Sequence, residues 1–425
     1  MNRPRVHWVS PLPPAETDIA HYTARILPEL AEAVDLTLWT DQKDWDRRLE
    51  EHCPVRALDP RTVLPRDFAG AGQGDVVFLN IGNSWVYHSG ILRLAHRLPS
   101  VIVLHDMAIQ EMAYDSIRYD GFDPEVYRAG MTRWYEKGGQ LTDDLLAQKI
   151  TAQDVAHQAP GFELVLDKAI SVISHTGIAH AAVSAREAVP AYLLDLPFAP
   201  SSKTPPAKRA KRGPLRLMQF GYIGPNRRLS EVLQVLAGLK GEVDFHLDVM
   251  GKIWDPGRIA AEVEALDLAA HVTLHGFVEE ADLDAALARA HLVFNLRYPT
   301  MGEASGSQLR IWNASAAAAV SDLGFYQSLP DDTVFKIPHA GEAEALTTLL
   351  RRLDADRALG EKIAQNGRAR LLARHTPERY ARAIAEVARR AQADAAGMLK
   401  TRSAQGVLDR SPASELYRQR LVRAL

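Results

Sequence analysis

The chain has 425 residues, too many for one ordinary core and enough for two or three domains at roughly 150 residues each. Hydrophobic residues make up 47% and charged residues 24%, a soluble globular balance that excludes disordered, collagen-like and coiled-coil classes. Lys and Arg total 50 against 53 Asp and Glu, a net charge of −3, so no general basic field argues for nucleic acid and an anionic ligand requires a local site.

The opening stretch MNRPRVHWVSPLPP reaches Pro11, Pro13 and Pro14 after an apolar run too short for a secretory signal, and RVHWVS (5–10) reads as a first strand. Ile19, Tyr22, Ile26, Leu27 and Leu30 then recur at spacings of three and four, which predicts an amphipathic crossover helix. VDLTLWT (34–40), DVVFLNIG (75–82), SVIVLHD (100–106), AISVISH (169–175) and HAAVSA (180–185) follow as strand candidates. Their alternation with helical spacing predicts βα units around a parallel sheet. The single cysteine, Cys53, excludes an internal disulfide framework and a multi-cysteine zinc cluster; it fits a reducing compartment, and cytoplasm is the expected location.

Between His105 and Lys168 lies a helical insertion, about 107–168, longer than a plain crossover requires and suited either to an extra helical layer or to a cap shaping substrate access. FAPSSKTPPAKRAKRGP (198–214) replaces apolar periodicity with proline, serine and the cations Lys203, Lys208, Arg209, Lys211 and Arg212. It reads as a solvated linker between a domain over 1–197 and a second over 215–395. The second domain opens another βα series at 215–221, 244–251, 271–277, 291–298, 316–322 and 333–338. Residues 396–425 read as a helical extension or tail. Nowhere do about 18 apolar residues run consecutively, so a spanning helix is not expected, while peripheral membrane contact on the cytoplasmic side stays open.

Three segments carry candidate chemistry at strand carboxyl ends, where open α/β sheets bind ligands. In GYIGPNRRLSEVL (221–233), glycines permit close backbone approach and a helix start offers unpaired N–H groups beside Arg227 or Arg228, a setting for an anion. In NLRYPTMGEASGSQLRIW (295–312), amides near Ser305, Gly306 and Ser307 can bind a diphosphate, and Glu303 can accept hydrogen bonds from sugar hydroxyls. His105 and Asp106 end an otherwise apolar strand, where a neutral imidazole can meet a ligand hydroxyl. GxxxxGK[ST], HExxH, GxSxG and GxGxxG after the first strand are all missing, and the Asp-x-Asp triplets at 44–46, 282–284 and 354–356 end no predicted apolar strand. No metal site is expected.

Taken in order, PLPPAETDIAHYTARILPEL (11–30), FGYIGPNRR, LDVMGK, LHGFV and LRYPTMGEASG resemble retaining glycosyltransferases of the GT-B fold, particularly bacterial members of glycosyltransferase family 4. The resemblance implies an α/β, GT-B type fold, two Rossmann-like domains facing across a cleft. It also implies a nucleotide-sugar donor, GDP- or UDP-linked, held mainly by the C-terminal domain, and a glycan, lipid-linked or other hydroxyl acceptor held mainly by the N-terminal one. Arg227 falls where the family usually has a diphosphate-binding lysine, Glu303 matches the first glutamate of its Glu-x7-Glu pattern, and His105 resembles its histidine near the donor sugar. Gly221, Gly251 and the turn at Gly276, Phe277 and Val278 resemble segments that frame the nucleotide. Thr17, Asp18 and Ile19 stand in the acceptor-side loop, with Asp18 replacing a glycine and tolerating a left-handed turn.

The implied reaction is a metal-independent, hexosyl-type transfer with retention and without a further cofactor. In it the departing phosphate takes the acceptor proton while Arg227 and loop amides stabilise its charge. Surface-polysaccharide or related glycan assembly is the implied setting. Two departures stand out. Ile311 occupies the place of the second glutamate, and Tyr222 that of an arginine assisting the diphosphate, leaving Arg297 or Arg228 to supply the second cation. They motivate an alternative: a catalytically impaired GT-B protein that binds nucleotide sugar or glycan and supports a partner enzyme.

Overall fold

The computed structural model describes residues 3–63, 65–68, 75–200 and 209–410. The linker cations Lys203 and Lys208 and tail residues 411–425 lie outside them. Contacts divide the chain into a first unit, residues 1–175, 179–194 and 378–425, and a second, 176–178 and 195–377. The final helix, Pro377–Arg410, thus belongs by contact with the first unit, where the Tyr22 hydroxyl donates to the Tyr380 hydroxyl at 2.6 Å.

The first unit is built on seven parallel strands: β1 Arg5–Val9, β2 Asp35–Thr40, β3 Val55–Ala57, β4 Val76–Ile81, β5 Ser100–Leu104, β6 Ala169–Ser174 and β7 Ala191–Leu193. Every residue of β4, β5 and β6 is buried, as continuous apolar runs demand in a parallel sheet covered on both faces. Fully burying each such Val, Leu or Ile contributes about 1.5–3 kcal/mol. The sheet order is β3-β2-β1-β4-β5-β6-β7, so the winding reverses between β1 and β4. The edge strands β3 and β7 are three residues long and were not expected from the sequence.

HAAVSA (180–185), expected as a strand, is instead part of the helix Gly177–Ser184. A short apolar run is ambiguous by periodicity; here alanine's helix propensity prevails, and the buried Ala179 and Val183 are four apart on one face. The helix Asp18–Ala33 begins after Thr17, which stays extended at φ −136° and accepts from the Ile19 N–H. Asp18 therefore has helical backbone as the first residue of that helix and makes no left-handed turn; its carboxylate complements the positive helix end. Between β5 and β6 the helices Gln110–Asp120, Pro124–Trp134, Gly138–Leu146 and Ala152–Gln158 fill the insertion.

The second unit carries β8 Leu215–Phe220, β9 Phe245–Met250, β10 Val272–Gly276, β11 Leu292–Asn295, β12 Ala317–Ser321 and β13 Phe335–Ile337. They pair in parallel in the order β10-β9-β8-β11-β12-β13, reversing between β8 and β11. Gly251, at φ 130°, follows β9; a Cβ there would stand 2.0 Å from the Gly221 carbonyl oxygen, so only glycine allows the two strand ends to meet. Among the described residues no helix is long and apolar enough to cross a membrane.

Candidate functional site

The switch point of the second unit gathers the loops after β8 and β11. Beyond Phe220 the chain turns at Gly221 (φ 100°) and closes a short helical turn, Pro225–Arg227. The Arg227 side chain folds back under this loop and is only 4% exposed. Its Nη2 donates to the Phe220 carbonyl at 3.3 Å and to Asn295 Oδ1 at 3.2 Å, while its buried Nε finds no protein acceptor. Burial, and then the nearby charge of Arg297, push its pKa down to about 10, so it remains a cation at neutral pH.

Arg228 is differently employed. It takes a left-handed conformation (φ 59°) at the start of the helix Leu229–Leu239, and its guanidinium binds Glu342 at 3.0 and 3.1 Å and Glu231 at 2.8 Å. Of the two candidates for a second phosphate cation, Arg297 is the one electrostatically coupled to Arg227.

After β11, Arg297 pairs with Glu303, whose other carboxylate oxygen accepts from the Met301 N–H at 2.7 Å and the Thr300 hydroxyl at 3.0 Å. Ser305 caps the helix Gly306–Asn313 by accepting from the Gln308 N–H at 3.1 Å, so Gly306 and Ser307 form the first turn, where N–H groups lack intrahelical acceptors. A buried network locks the two loops together. Gln219 donates to the Arg227 carbonyl at 2.8 Å, Asn295 Nδ2 to Gln308 Oε1 at 3.0 Å, and the Tyr326 hydroxyl to Ser305 Oγ at 3.0 Å. Two guanidinium groups against one carboxylate, beside a helix start, leave a net positive site suited to a polyanion such as a diphosphate.

Other residues singled out in the sequence lie at the same sheet ends but outside this network. Tyr222 is 55% exposed and stands edge-on to Trp254, with ring centroids 6.4 Å apart; Phe277 is 83% exposed. Val278 packs half-buried against an apolar cluster. Ile311 is fully buried in that same cluster, where a carboxylate would have no counterpart.

At the first unit's switch point the loops after β1 and β4 come together. A Cβ on Gly82 would lie 2.6 Å from Ile19 Cδ1 and 2.9 Å from His88 Nε2, so Gly82 admits this closeness. His105, just past β5, is partly exposed; its Nε2 meets Asn80 Oδ1 at 3.0 Å, and the Tyr22 ring stands edge-on at 4.8 Å. Burial, then the neighbouring His175 and His88, hold its pKa well below the ordinary value. The neighbouring Asp106 carboxylate accepts from the Asn83 N–H at 2.8 Å. Asn80, His88 and Asn295 escaped the motif-based reading. For Asn80 and Asn295 the signal was a polar side chain inside or ending an apolar strand, VVFLNI or LVFN, which burial makes costly without partners; His88 lies in the helix Trp85–Ala95 and had no such signal.

This fold and site define a class. Residues 227–386 match the family model described as glycosyl transferase-like. No curated protein sequence matches the chain. Among solved structures, HepE of Anabaena, in complex with UDP and glucose, is similar over 90% of this chain and 98% of its own at 13% identity and a TM-score of 0.58. Sucrose-phosphate synthase from Thermosynechococcus elongatus covers 91% and 99% at 16% identity and a TM-score of 0.61. WaaG, a glycosyltransferase involved in lipopolysaccharide biosynthesis, covers 88% and 98% at 16% identity and a TM-score of 0.54. At these identities the likeness establishes the fold: GT-B type, with two Rossmann-like units.

Proposed function

We propose that the protein is a retaining, metal-independent glycosyltransferase that moves a sugar from a UDP- or GDP-linked donor to a hydroxyl of a glycan or lipid-linked acceptor. The observation that carries this reading is the placement of Arg227 and Arg297 together with Glu303 beside the first turn of the Gly306–Asn313 helix. That arrangement suits the diphosphate of a sugar nucleotide, and the complexes of HepE with UDP and with UDP-glucose are consistent with it. As the sugar–phosphate bond breaks, negative charge grows on the leaving diphosphate. Arg227 and the amides at Gly306 and Ser307 stabilise it, and the diphosphate oxygen takes the acceptor proton. Glu303, held by Arg297, Thr300 and Met301, fixes the geometry of the loop that meets the donor sugar. Thr17, Asp18 and Ile19 belong to the acceptor side. No cofactor beyond the donor is needed, and the setting is assembly of a surface polysaccharide or related glycan.

The test is incubation with a panel of UDP- and GDP-sugars and hydroxyl acceptors, with products read by mass spectrometry and anomeric configuration by NMR. A product of retained configuration supports the reading; an inverted linkage contradicts it. One observation favours a second reading. Ile311, buried where a ribose-binding carboxylate was expected, suits a protein that binds the sugar nucleotide without transferring its sugar. Binding without turnover across the panel distinguishes it.

A further inference from the structure

His105 sits among hydrogen-bond partners that fix which of its nitrogens carries the proton. Asn80, buried in the middle of β4, has its amide orientation forced: Nδ2 donates at 2.9 Å to the Val9 carbonyl, which can only accept. Its Oδ1 therefore faces His105 Nε2 at 3.0 Å, and an amide oxygen also can only accept. The proton must then reside on Nε2, and a neutral ring has Nδ1 bare. Among the described residues Nδ1 makes no hydrogen bond, and the side chain retains partial exposure. His88 shows the opposite choice. Its Nδ1 stands 3.1 Å from the Asn80 backbone carbonyl, so the proton is on Nδ1, and burial holds its pKa at about 4.

The groups around His105 do not favour a charged ring. His88 packs from the helix Trp85–Ala95, His175 from the end of β6 with centroids 5.2 Å apart, and Tyr22 from the helix Asp18–Ala33. The Tyr22 hydroxyl is engaged by Tyr380. The adjacent carboxylate, Asp106, is engaged by the Asn83 N–H.

We propose that Asn80 is a positioning residue that holds His105 as the neutral Nε2–H tautomer, so that its bare Nδ1 accepts a hydrogen bond from a sugar hydroxyl. This rests on the glycosyl-transfer reading for its ligand, but the tautomer is a property of the free protein. A ring of this kind reads a hydroxyl as donor, and cannot donate to the substrate from the same nitrogen. The arrangement sets a polarity for recognition at this position: a sugar hydroxyl satisfies Nδ1, whereas a carbonyl or deoxy position leaves it unpaired.

The experiment is long-range nitrogen–proton NMR on protein labelled with ¹⁵N-histidine, with His105 assigned by the signal lost in His105→Gln. The expected wild-type result is a protonated Nε2 and a bare Nδ1, unchanged from pH 5 to 8. A protonated Nδ1, or a ring titrating near pH 6.5, would overturn the proposal. In Asn80→Asp a carboxylate replaces the amide and the ring should become cationic, titrating at least one pH unit above wild type. A folded Asn80→Asp protein whose His105 spectrum and titration match wild type would reduce Asn80 to a packing role and overturn the proposal. UDP-glucose, GDP-mannose, free glucose and free mannose are then added in turn. A shift of Nδ1 with a sugar nucleotide alone assigns the hydroxyl to the donor, and one with a free sugar assigns it to the acceptor. No shift with any of the four overturns hydroxyl recognition. Absence of sugar-nucleotide binding by calorimetry counts instead against the transferase reading, separately from the tautomer measured without ligand.

Discussion

The two switch points of this protein are built on the same parallel-sheet geometry and filled with opposite chemistry. In the second unit, between β8 and β11, Arg227 is a buried cation kept charged, next to Arg297 and a helix start. In the first unit, beside β4 and β5, the buried His88 and the partly exposed His105 are rings held toward the neutral form. Burial acts on both in one direction, lowering the pKa and disfavouring charge. The outcome differs because guanidinium starts far above neutral pH and stays cationic after the shift, whereas imidazole starts near 6.5 and is already largely neutral at pH 7 before it. The proposed function uses the second unit's site to hold a polyanion and the first unit's to read uncharged groups.

The sharpest way to break this contrast is Arg227→Ala. With the cation beneath the loop removed, sugar transfer should fall by about 10²–10³-fold, on the order of 3–4 kcal/mol of transition-state stabilisation, as measured by kcat/KM. A change below tenfold would show that the second unit's site does not depend on its buried charge.

The first unit predicts a stability effect of similar size and a definite sign. Above pH 6.5 His88 is neutral both folded and unfolded. Between pH 6.5 and about 4 only the unfolded chain takes the proton, so stability falls as pH falls, by about 3 kcal/mol across that window. His105 acts in the same direction. Thermal unfolding from pH 7 to 4.5 should be clearly less pH-dependent in His88→Asn, whose Nδ2 can replace the donor to the Asn80 carbonyl. Slopes equal to wild type would mean that the neutral ring is not what the first unit stores.

Glu303→Gln keeps the shape of the loop but removes the partner of Arg297. The half-buried Arg297 guanidinium loses the negative charge of Glu303, which costs about 1–3 kcal/mol of stability measurable by urea denaturation, and donor affinity falls with it. Arg228→Ala is the control with the smallest expected effect on ligand binding. Its guanidinium serves Glu342 and Glu231, so donor affinity should change by less than about 0.5 kcal/mol although stability drops. A large loss of affinity there would transfer the role of second cation from Arg297 to Arg228.

Much of this was legible in the amino-acid order because parallel sheets write themselves plainly. VVFLNI, SVIVL and AISVIS are buried on both faces and so carry unbroken apolar runs. Val55–Ala57 and Ala191–Leu193 were missed, whereas Phe335–Ile337, an edge strand of the same length, was anticipated within TVFKIP (333–338). HAAVSA misled because alanine and valine fit a buried strand or a buried helix face equally until tertiary packing decides. At the site, Arg227, Arg297, Glu303 and Ser305 stood within two loop motifs. What the motifs could not give was which arginine is spent on Glu342, or that Asn80 and Asn295 hold His105 and Arg227, since those bonds join residues 114, 25 and 68 positions apart.

The account rests most heavily on the second unit's switch point as a diphosphate site. Calorimetric titration of UDP, GDP and the parent nucleosides into wild-type and Arg227→Ala protein measures this directly. The prediction is that one nucleoside diphosphate binds the wild type more tightly than its nucleoside, and that Arg227→Ala removes most of that difference while leaving nucleoside affinity unchanged. If neither diphosphate binds, or if Arg227→Ala binds it as tightly as wild type, the site is not what its charge and geometry describe.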